Sequence, residues 1–231
     1  SDVALSASWN AGSDGESGVS DYDVCFSEAS TGCTNIPGTT TQSGNTSRTA
    51  TDTATGMVSG QTYYTCVRVN DVAGNTSGWQ CSDGFIVDAV TPTNPTQSNI
   101  FDLSASLIDS DWTTSTTSLS ASWNTGSDSA SGVRDYDVCF SSVDTGCTEV
   151  PGTTIETGNT SRTATATATG MTSGTTYYTC VRTWDIAGND AQWQCSDGFA
   201  IDTGVPSNPA QSGIFDLSVT ESSDLDWNTS T

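Results

Sequence analysis

Asp21 and Asp23 flank Tyr22, and Asp135 and Asp137 flank Tyr136, so an extended strand would set each pair of carboxylates on one face. Such pairs are the one acid–base apparatus this chain offers. It contains no histidine and no lysine, and its eight cysteines are spaced for cross-linking rather than catalysis. An enzyme carrying the same pair in duplicate would be unusual, so both pairs are expected on solvated strand edges and the chain is expected to be non-catalytic. A second chemistry is the binding of hard cations, because 27 acidic residues stand against five arginines for a net charge of −22. Asp14, Asp71 and Asn75, with Asp128, Asp185 and Asn189 in matching places, lie in Gly- and Ser-rich turns and would supply oxygen ligands if those turns met. Excess acid also has a plain meaning, solubility and mutual repulsion, and it makes nucleic acid a poor partner.

What has to position these groups is a repeat. Shifting the chain by 114 positions brings Trp9 onto Trp123, Tyr22 onto Tyr136, Tyr63 onto Tyr177, and Cys25, Cys33, Cys66 and Cys81 onto Cys139, Cys147, Cys180 and Cys195. That period is too long for a solenoid unit and matches one self-contained β-sandwich domain. Within each period LSASW (5–9, 119–123), DYDVCF (21–26, 135–140), TYYTCVR (62–68, 176–182) and GF(I/A)(V/I)D (84–88, 198–202) alternate or run apolar between clusters of Gly, Ser, Thr and Asn, the pattern of short strands. No stretch carries a helical apolar period, and no apolar run approaches the length of a membrane span, so membrane insertion is not expected. The Arg48–Thr55 and Arg162–Thr169 runs alternate threonine with small residues, superficially like an ice-binding face. One threonine row per period cannot build the flat, multi-row surface such binding needs, and plain strands are the expectation.

Between the periods, Asp88–Thr96 and its echo Asp202–Pro209 each carry two prolines, which favour an extended, semi-rigid connection and cannot join a central strand. After each comes Ile-Phe-Asp-Leu (100–103, 214–217) and then Asp-Trp (111–112, 226–227), read as the first strand of a module. The expected division is therefore a first module over 1–88 that lacks its first strand, a linker over 89–98, a second module over 99–202, a linker over 203–212, and the first strand of a further module over 213–231. Ser1 matches Ser115, so the two periods are cut out of phase with the modules. The expectation is that the terminal strand of one copy completes the first module of the next by strand addition. Any export signal or anchor is expected outside this stretch.

LSASWNxGSDxxSGVxDYDV (5–24, 119–138), Met57–Tyr64, Val67–Asn75 and Phe85–Asp88 followed by Thr-Pro resemble the fibronectin type III or immunoglobulin-like modules repeated in large bacterial surface proteins, over essentially the whole chain. The resemblance implies an all-β fold of tandem immunoglobulin-like sandwiches, with Trp9 and Trp123 in the cores and Tyr63 and Tyr177 forming corners. Four cysteines per module depart from that pattern.

Eight cysteines with no C-x-x-C pair and no histidine point to disulfides and an oxidising compartment, hence to an extracellular or cell-surface location. Tyr22, Val24 and Phe26 alternate inward, which turns Cys25 outward, and the same reasoning turns Cys66 outward on the same sheet. Short-range pairing, Cys25–Cys33 and Cys66–Cys81 with Cys139–Cys147 and Cys180–Cys195, needs only adjacent hairpin strands and is the first choice. Cys25–Cys66 across neighbouring strands is the rival. In this topology the turns after the second and sixth strands meet at the pole facing the preceding linker. Asp128, Asp185 and Asn189 would there meet Asp88, and Asp14, Asp71, Asn75 and Asp202 hold the corresponding places, which makes calcium the candidate cofactor. The plain alternative is that Asp14 and Asp71 cap their own turns. Sequons stand at Asn45, Asn75, Asn159 and Asn228, several expected by chance in so Ser/Thr-rich a chain.

These features point to a structural or adhesive spacer of a bacterial surface fibre whose partners are copies of itself. The alternative is a glycan-binding module using Trp79, Trp184 or Trp193 as exposed platforms.

Overall fold

Short, half-buried β segments are what this sequence can form, and the computed structural model, which describes residues 3–211 and 214, contains sixteen of them. The first run is β1 (Val3–Ser8), β2 (Val19–Ser27), β3 (Gln42–Asn45), β4 (Thr49–Ala54), β5 (Thr62–Asp71), β6 (Gln80–Cys81) and β7 (Phe85–Ile86). The second is β8 (Ile100–Asp102), β9 (Trp112–Thr113), β10 (Ser118–Trp123), β11 (Val133–Ser141), β12 (Glu156–Asn159), β13 (Thr163–Thr167), β14 (Thr176–Asp185), β15 (Gln194–Cys195) and β16 (Phe199–Ile201).

The second run builds two facing sheets, β13-β10-β8 and β12-β11-β14-β16-β9, with β15 beside β14. All pairings are antiparallel except that of β16 with β9, which is parallel. The first run gives β1-β4 opposite β3-β2-β5-β6, with β7 on β5. These are tandem immunoglobulin-like sandwiches. The segment read as a single first strand is divided: β8 lies on one sheet and β9 on the other, joined by the loop 103–111, so the chain changes sheets at the corner.

Alternation fills each interior. Tyr136, Val138 and Phe140 of β11 face Leu119, Ala121 and Trp123 of β10 in one apolar cluster, and Val24 and Phe26 face Leu5 and Ala50 in the other. Full burial of each such aliphatic or aromatic side chain contributes on the order of 1.5–3 kcal/mol. The corners are tied by tyrosine: Tyr63 Oη accepts the Val58 N–H at 2.9 Å, and Tyr177 Oη accepts the Thr172 N–H at 3.1 Å.

The bridges are Cys25–Cys33, Cys66–Cys81, Cys139–Cys147 and Cys180–Cys195. Cys25 lies directly opposite Cys66, and Cys66 opposite Cys81, so the sulfurs stack across three strands. They point away from the apolar core, but not into water: Cys25, Cys66, Cys139 and Cys180 are all 0% exposed. In the second sandwich Tyr178 and Trp193 pack on them as a separate outer cluster.

Candidate functional site

The joint between the sandwiches is short. Val87 N–H still donates to Gln61 O (3.2 Å) and Ala89 N–H to Ser59 Oγ (3.1 Å), both in the first sandwich. By Thr93 the chain belongs to the second, where Thr93 and Ser127 exchange backbone hydrogen bonds of 2.8 and 2.9 Å. Asn94 accepts the Thr183 N–H at 2.7 Å and donates to the Gln192 carbonyl, and both Pro92 and Pro95 are buried. Gly126 permits this docking, since a Cβ there would sit 2.4 Å from the Thr93 carbonyl oxygen. The expected semi-rigid linker is thus mostly attached to its neighbours. Val90 and Thr91, both exposed, complete the connection, and even the Val90 carbonyl accepts from the Asn189 amide of the second sandwich.

Carboxylates converge on this joint. Asp88 Oδ2 accepts the Ser131 N–H (3.0 Å) and its Oδ1 the Val90 N–H (2.9 Å), so a residue on the first-sandwich side is held by a loop of the second. Hydrogen bonds from Ser131 and then Val90 keep the Asp88 carboxyl below its ordinary value. Asp128 Oδ1 caps its own turn, accepting from Ala130, Ser131 and Gly132 at 3.0, 2.9 and 2.9 Å, while its Oδ2 is buried with no donor. Asp185 Oδ1 accepts from Gly188 and Asn189, and the Asn189 amide bridges Asp185 Oδ2 (2.7 Å) to the carbonyls of Asp88 and Val90 (3.2 Å each). One oxygen from each of Asp88, Asp128 and Asp185 lies within 4.8 Å of the others. Both oxygens of Asp88 and of Asp185 accept hydrogen bonds, and Asp128 Oδ2 is the one oxygen of the three side chains without a donor.

In the first sandwich the same turns recur without the linker carboxylate. Asp14 Oδ2 accepts from Glu16, Ser17 and Gly18, and Asp71 accepts the backbone and side-chain amides of Asn75. The Gly18 N–H chiefly lowers the Asp14 carboxyl, and the Asn75 side chain chiefly lowers that of Asp71. Asp202 repeats the posture of Asp88, accepting the Gly204 N–H at 2.8 Å beside a Thr203–Ser173 bond, with no facing loop among the described residues.

A second feature is a groove. In the second sandwich β8 lies against β10, with Ile100 opposite Trp123 and Asp102 opposite Ala121, and Trp123 is 0% exposed. In the first sandwich no strand among the described residues occupies the corresponding edge of β1. Ser8, Trp9, Tyr22, Thr65, Val67 and Ser82 line an opening of about 370 Å³ there, and Trp9 is partly exposed. Residues 213–231, expected to be the next module's first strand, lie outside the described residues apart from Ile214, as does Asn228.

One member of each acidic pair departs from expectation, while Asp21 and Asp135 stay partly exposed. Asp23 and Asp137 are 4% and 3% exposed, not solvated, because an arginine and its indoles cover them. Asp23 meets Arg68 at 2.8 Å, and Arg68 lies over Trp79 with 4.8 Å to the ring centre. Asp137 meets Arg182 at 2.8 Å and the Trp184 indole N–H at 2.9 Å, while Arg182 lies over both Trp184 and Trp193. The three indoles proposed as sugar platforms are therefore engaged as cation–π partners of arginine. Asn159 is 6% exposed, and its amide nitrogen donates to Glu156 Oε1 and to the Thr163 carbonyl. The Asn45 and Asn75 amide nitrogens bond within their own exposed turns, to Thr49 O and Asp71 Oδ2.

No protein-family model matches this chain, and no curated protein matches it. Among solved structures it is similar to the crystal structure of the FN1–FN3 domains of chicken CNTN1, at 17% identity with a TM-score of 0.30, over 87% of this chain and 63% of that one. The match thus spans less than two thirds of that chain. The assignment as immunoglobulin-like sandwiches stands on the strand pairing above, and four intrachain disulfides make this a secreted or extracellular domain.

Proposed function

We propose that the chain is a structural repeat of an extracellular fibre, in which each sandwich is closed by an Ile-Phe-Asp strand and the first sandwich receives that strand from another copy. One observation carries this reading: the groove beside Trp9 is the place that β8 fills in the second sandwich. Asn94-Pro-Thr-Gln-Ser-Asn-Ile-Phe-Asp-Leu103 has its twin in Asn208-Pro-Ala-Gln-Ser-Gly-Ile-Phe-Asp-Leu217. In the β8 register Ile214 would stand opposite Trp9, Phe215 opposite Ser8 and Asp216 opposite Ala7. Main-chain pairing supplies affinity at an open edge, and the alternate inward side chains supply register. The role is mechanical and requires no catalytic group; in a longer array the preceding repeat would present the same strand along the chain.

Sedimentation velocity on the 231-residue chain tests this. The chain is expected to form concentration-dependent head-to-tail oligomers. Ile214→Asp is expected to leave it monomeric, and a synthetic 206–219 peptide to cap growth. A chain that stays monomeric throughout and ignores the peptide overturns completion between copies.

The joint supports a second element of the same reading, calcium held by Asp88, Asp128 and Asp185 with Asn189 beside them. The buried, donorless Oδ2 of Asp128 favours it. Asp202 would meet Asp14, Asp71 and Asn75 of the next copy in the same way. Calcium is expected to slow the relative tumbling of the two sandwiches, measured by residual dipolar couplings, and Asp88→Asn is expected to abolish that effect. Unchanged alignment tensors on adding calcium would count against it.

A further inference from the structure

Away from the joint, Asp102 is 0% exposed where the chain leaves β8 to change sheets. Its Oδ1 accepts the Thr179 N–H at 3.2 Å and the Thr179 hydroxyl at 2.6 Å, across to the opposite sheet. Its Oδ2 is buried and has no donor. A carboxylate oxygen sealed from water without a partner is costly, and here the nearest charged groups worsen the position. Asp109, from the sheet-changing loop, accepts the Asp102 N–H at 2.7 Å, and Asp197 follows the β15 hairpin. One oxygen from each of Asp102, Asp109 and Asp197 lies within 4.8 Å of the other two. None of the ion pairs among the described residues reaches them. Burial above all, then the charges of Asp109 and Asp197, push the Asp102 carboxyl up to about 6 against the hydroxyl of Thr179 and the nearby hydroxyl of Ser196, which stands outside hydrogen-bond geometry with it.

We propose that Asp102, Asp109 and Asp197 bind a divalent cation, calcium by its chemistry, which clamps the sheet-changing loop to the corner of the second sandwich. The set is all oxygen and triply anionic, which suits a hard cation. Calcium–oxygen distances of about 2.3–2.6 Å let one ion touch oxygens up to roughly 4.8 Å apart, whereas magnesium demands a tighter octahedron near 2.1 Å. The ion would satisfy the orphaned Asp102 oxygen and neutralise the three-way repulsion in one step. It would also brace a loop in which Leu103 and Leu107 adopt φ of 56° and 57°, a conformation L side chains rarely take. Aspartates recur in sequence as Asp216, Asp83 and, after a one-residue insertion relative to the 114-residue period, Asp224, so on the reading of head-to-tail completion a strand arriving from another copy would bring two carboxylates to a third.

The test is isothermal titration of the metal-free 231-residue chain with calcium, with magnesium in parallel and with thermal melting as a second readout. In the Ile214→Asp chain, which excludes sites formed between copies, Asp88→Asn with Asp128→Asn removes two of the three joint carboxylates and is expected to leave one calcium site intact. Adding Asp197→Asn, an exposed side chain, or in a separate chain Asp109→Asn, is expected to weaken that site at least tenfold and to cancel the calcium-dependent rise in Tm of the second sandwich. The joint reading fails separately, if its two substitutions change nothing. The clamp is overturned if the joint-deficient chain takes up no calcium, if uptake ignores Asp197→Asn and Asp109→Asn alike, or if magnesium binds equally well.

Discussion

Trp123→Ala is expected to destabilise the second sandwich by about 3–5 kcal/mol, the range for truncating a large buried aromatic. The equivalent change Trp9→Ala is expected to cost the isolated chain about half as much. Both tryptophans hold the same place in the repeat, Trp123 ending β10 and Trp9 just past β1, and both stack edge-on against a tyrosine, with ring centres 5.8 Å apart in each case. They differ in what lies on the other side. Ile100 closes over Trp123, whereas the strand edge beside Trp9 is open among the described residues. A domain of this size has roughly 5–15 kcal/mol in total, so the first change takes a large share of it. Urea denaturation of each variant, followed by near-ultraviolet circular dichroism, measures both costs. Adding the 206–219 peptide is then expected to raise the penalty of Trp9→Ala towards that of Trp123→Ala, because the cavity would be made in a closed core. Equal penalties without peptide would mean the groove has no energetic consequence.

The strands were legible because their chemistry is local. DYDVCF and TYYTCVR alternate, and the structure turns Tyr22, Val24 and Phe26 inward from β2. β3 and β12 escape such reading: QSGN and ETGN have no apolar rhythm and are held by pairing with β2 and β11 across a bulge. The joint aspartates could be named from their turn sequences, but that Asp88 is gripped by Ser131 depends on how two sandwiches abut, which no local pattern encodes. The buried state of Asp23 depends on register, since it is the antiparallel stacking of Cys25 on Cys66 that puts Asp23 opposite Arg68. Asp102 left a usable signal. It sits two residues from Ile100 in Ile-Phe-Asp, so alternation turns both to the same side, and an aspartate at an inward position requires a partner.

Arg182→Ala is expected to cost the second sandwich about 3 kcal/mol, more than any change confined to its outer surface. Removing one member of a buried ion pair leaves the other charged and desolvated, which costs about 3–5 kcal/mol. The lower end applies here because the Trp184 indole still donates to Asp137. Arg182 also lies 5.2 and 5.0 Å from the ring centres of Trp184 and Trp193, so its loss strips packing from the outer cluster above Cys180 and Cys195. Arg68→Ala is expected to cost somewhat less, since its side chain is 36% exposed against 28% and rests on one indole, Trp79, where Arg182 has two, although Asp23 would be left as buried as Asp137. The double change Arg182→Met with Asp137→Asn distinguishes charge from packing. It is expected to recover most of the lost stability if the unpaired Asp137 charge dominates, because the buried ion pair is then replaced by neutral groups of similar volume. If the double variant is no more stable than Arg182→Ala, the cation's contact with the two indoles is what holds the outer face, and the tryptophans act as the arginine's seat, not as surfaces for a ligand.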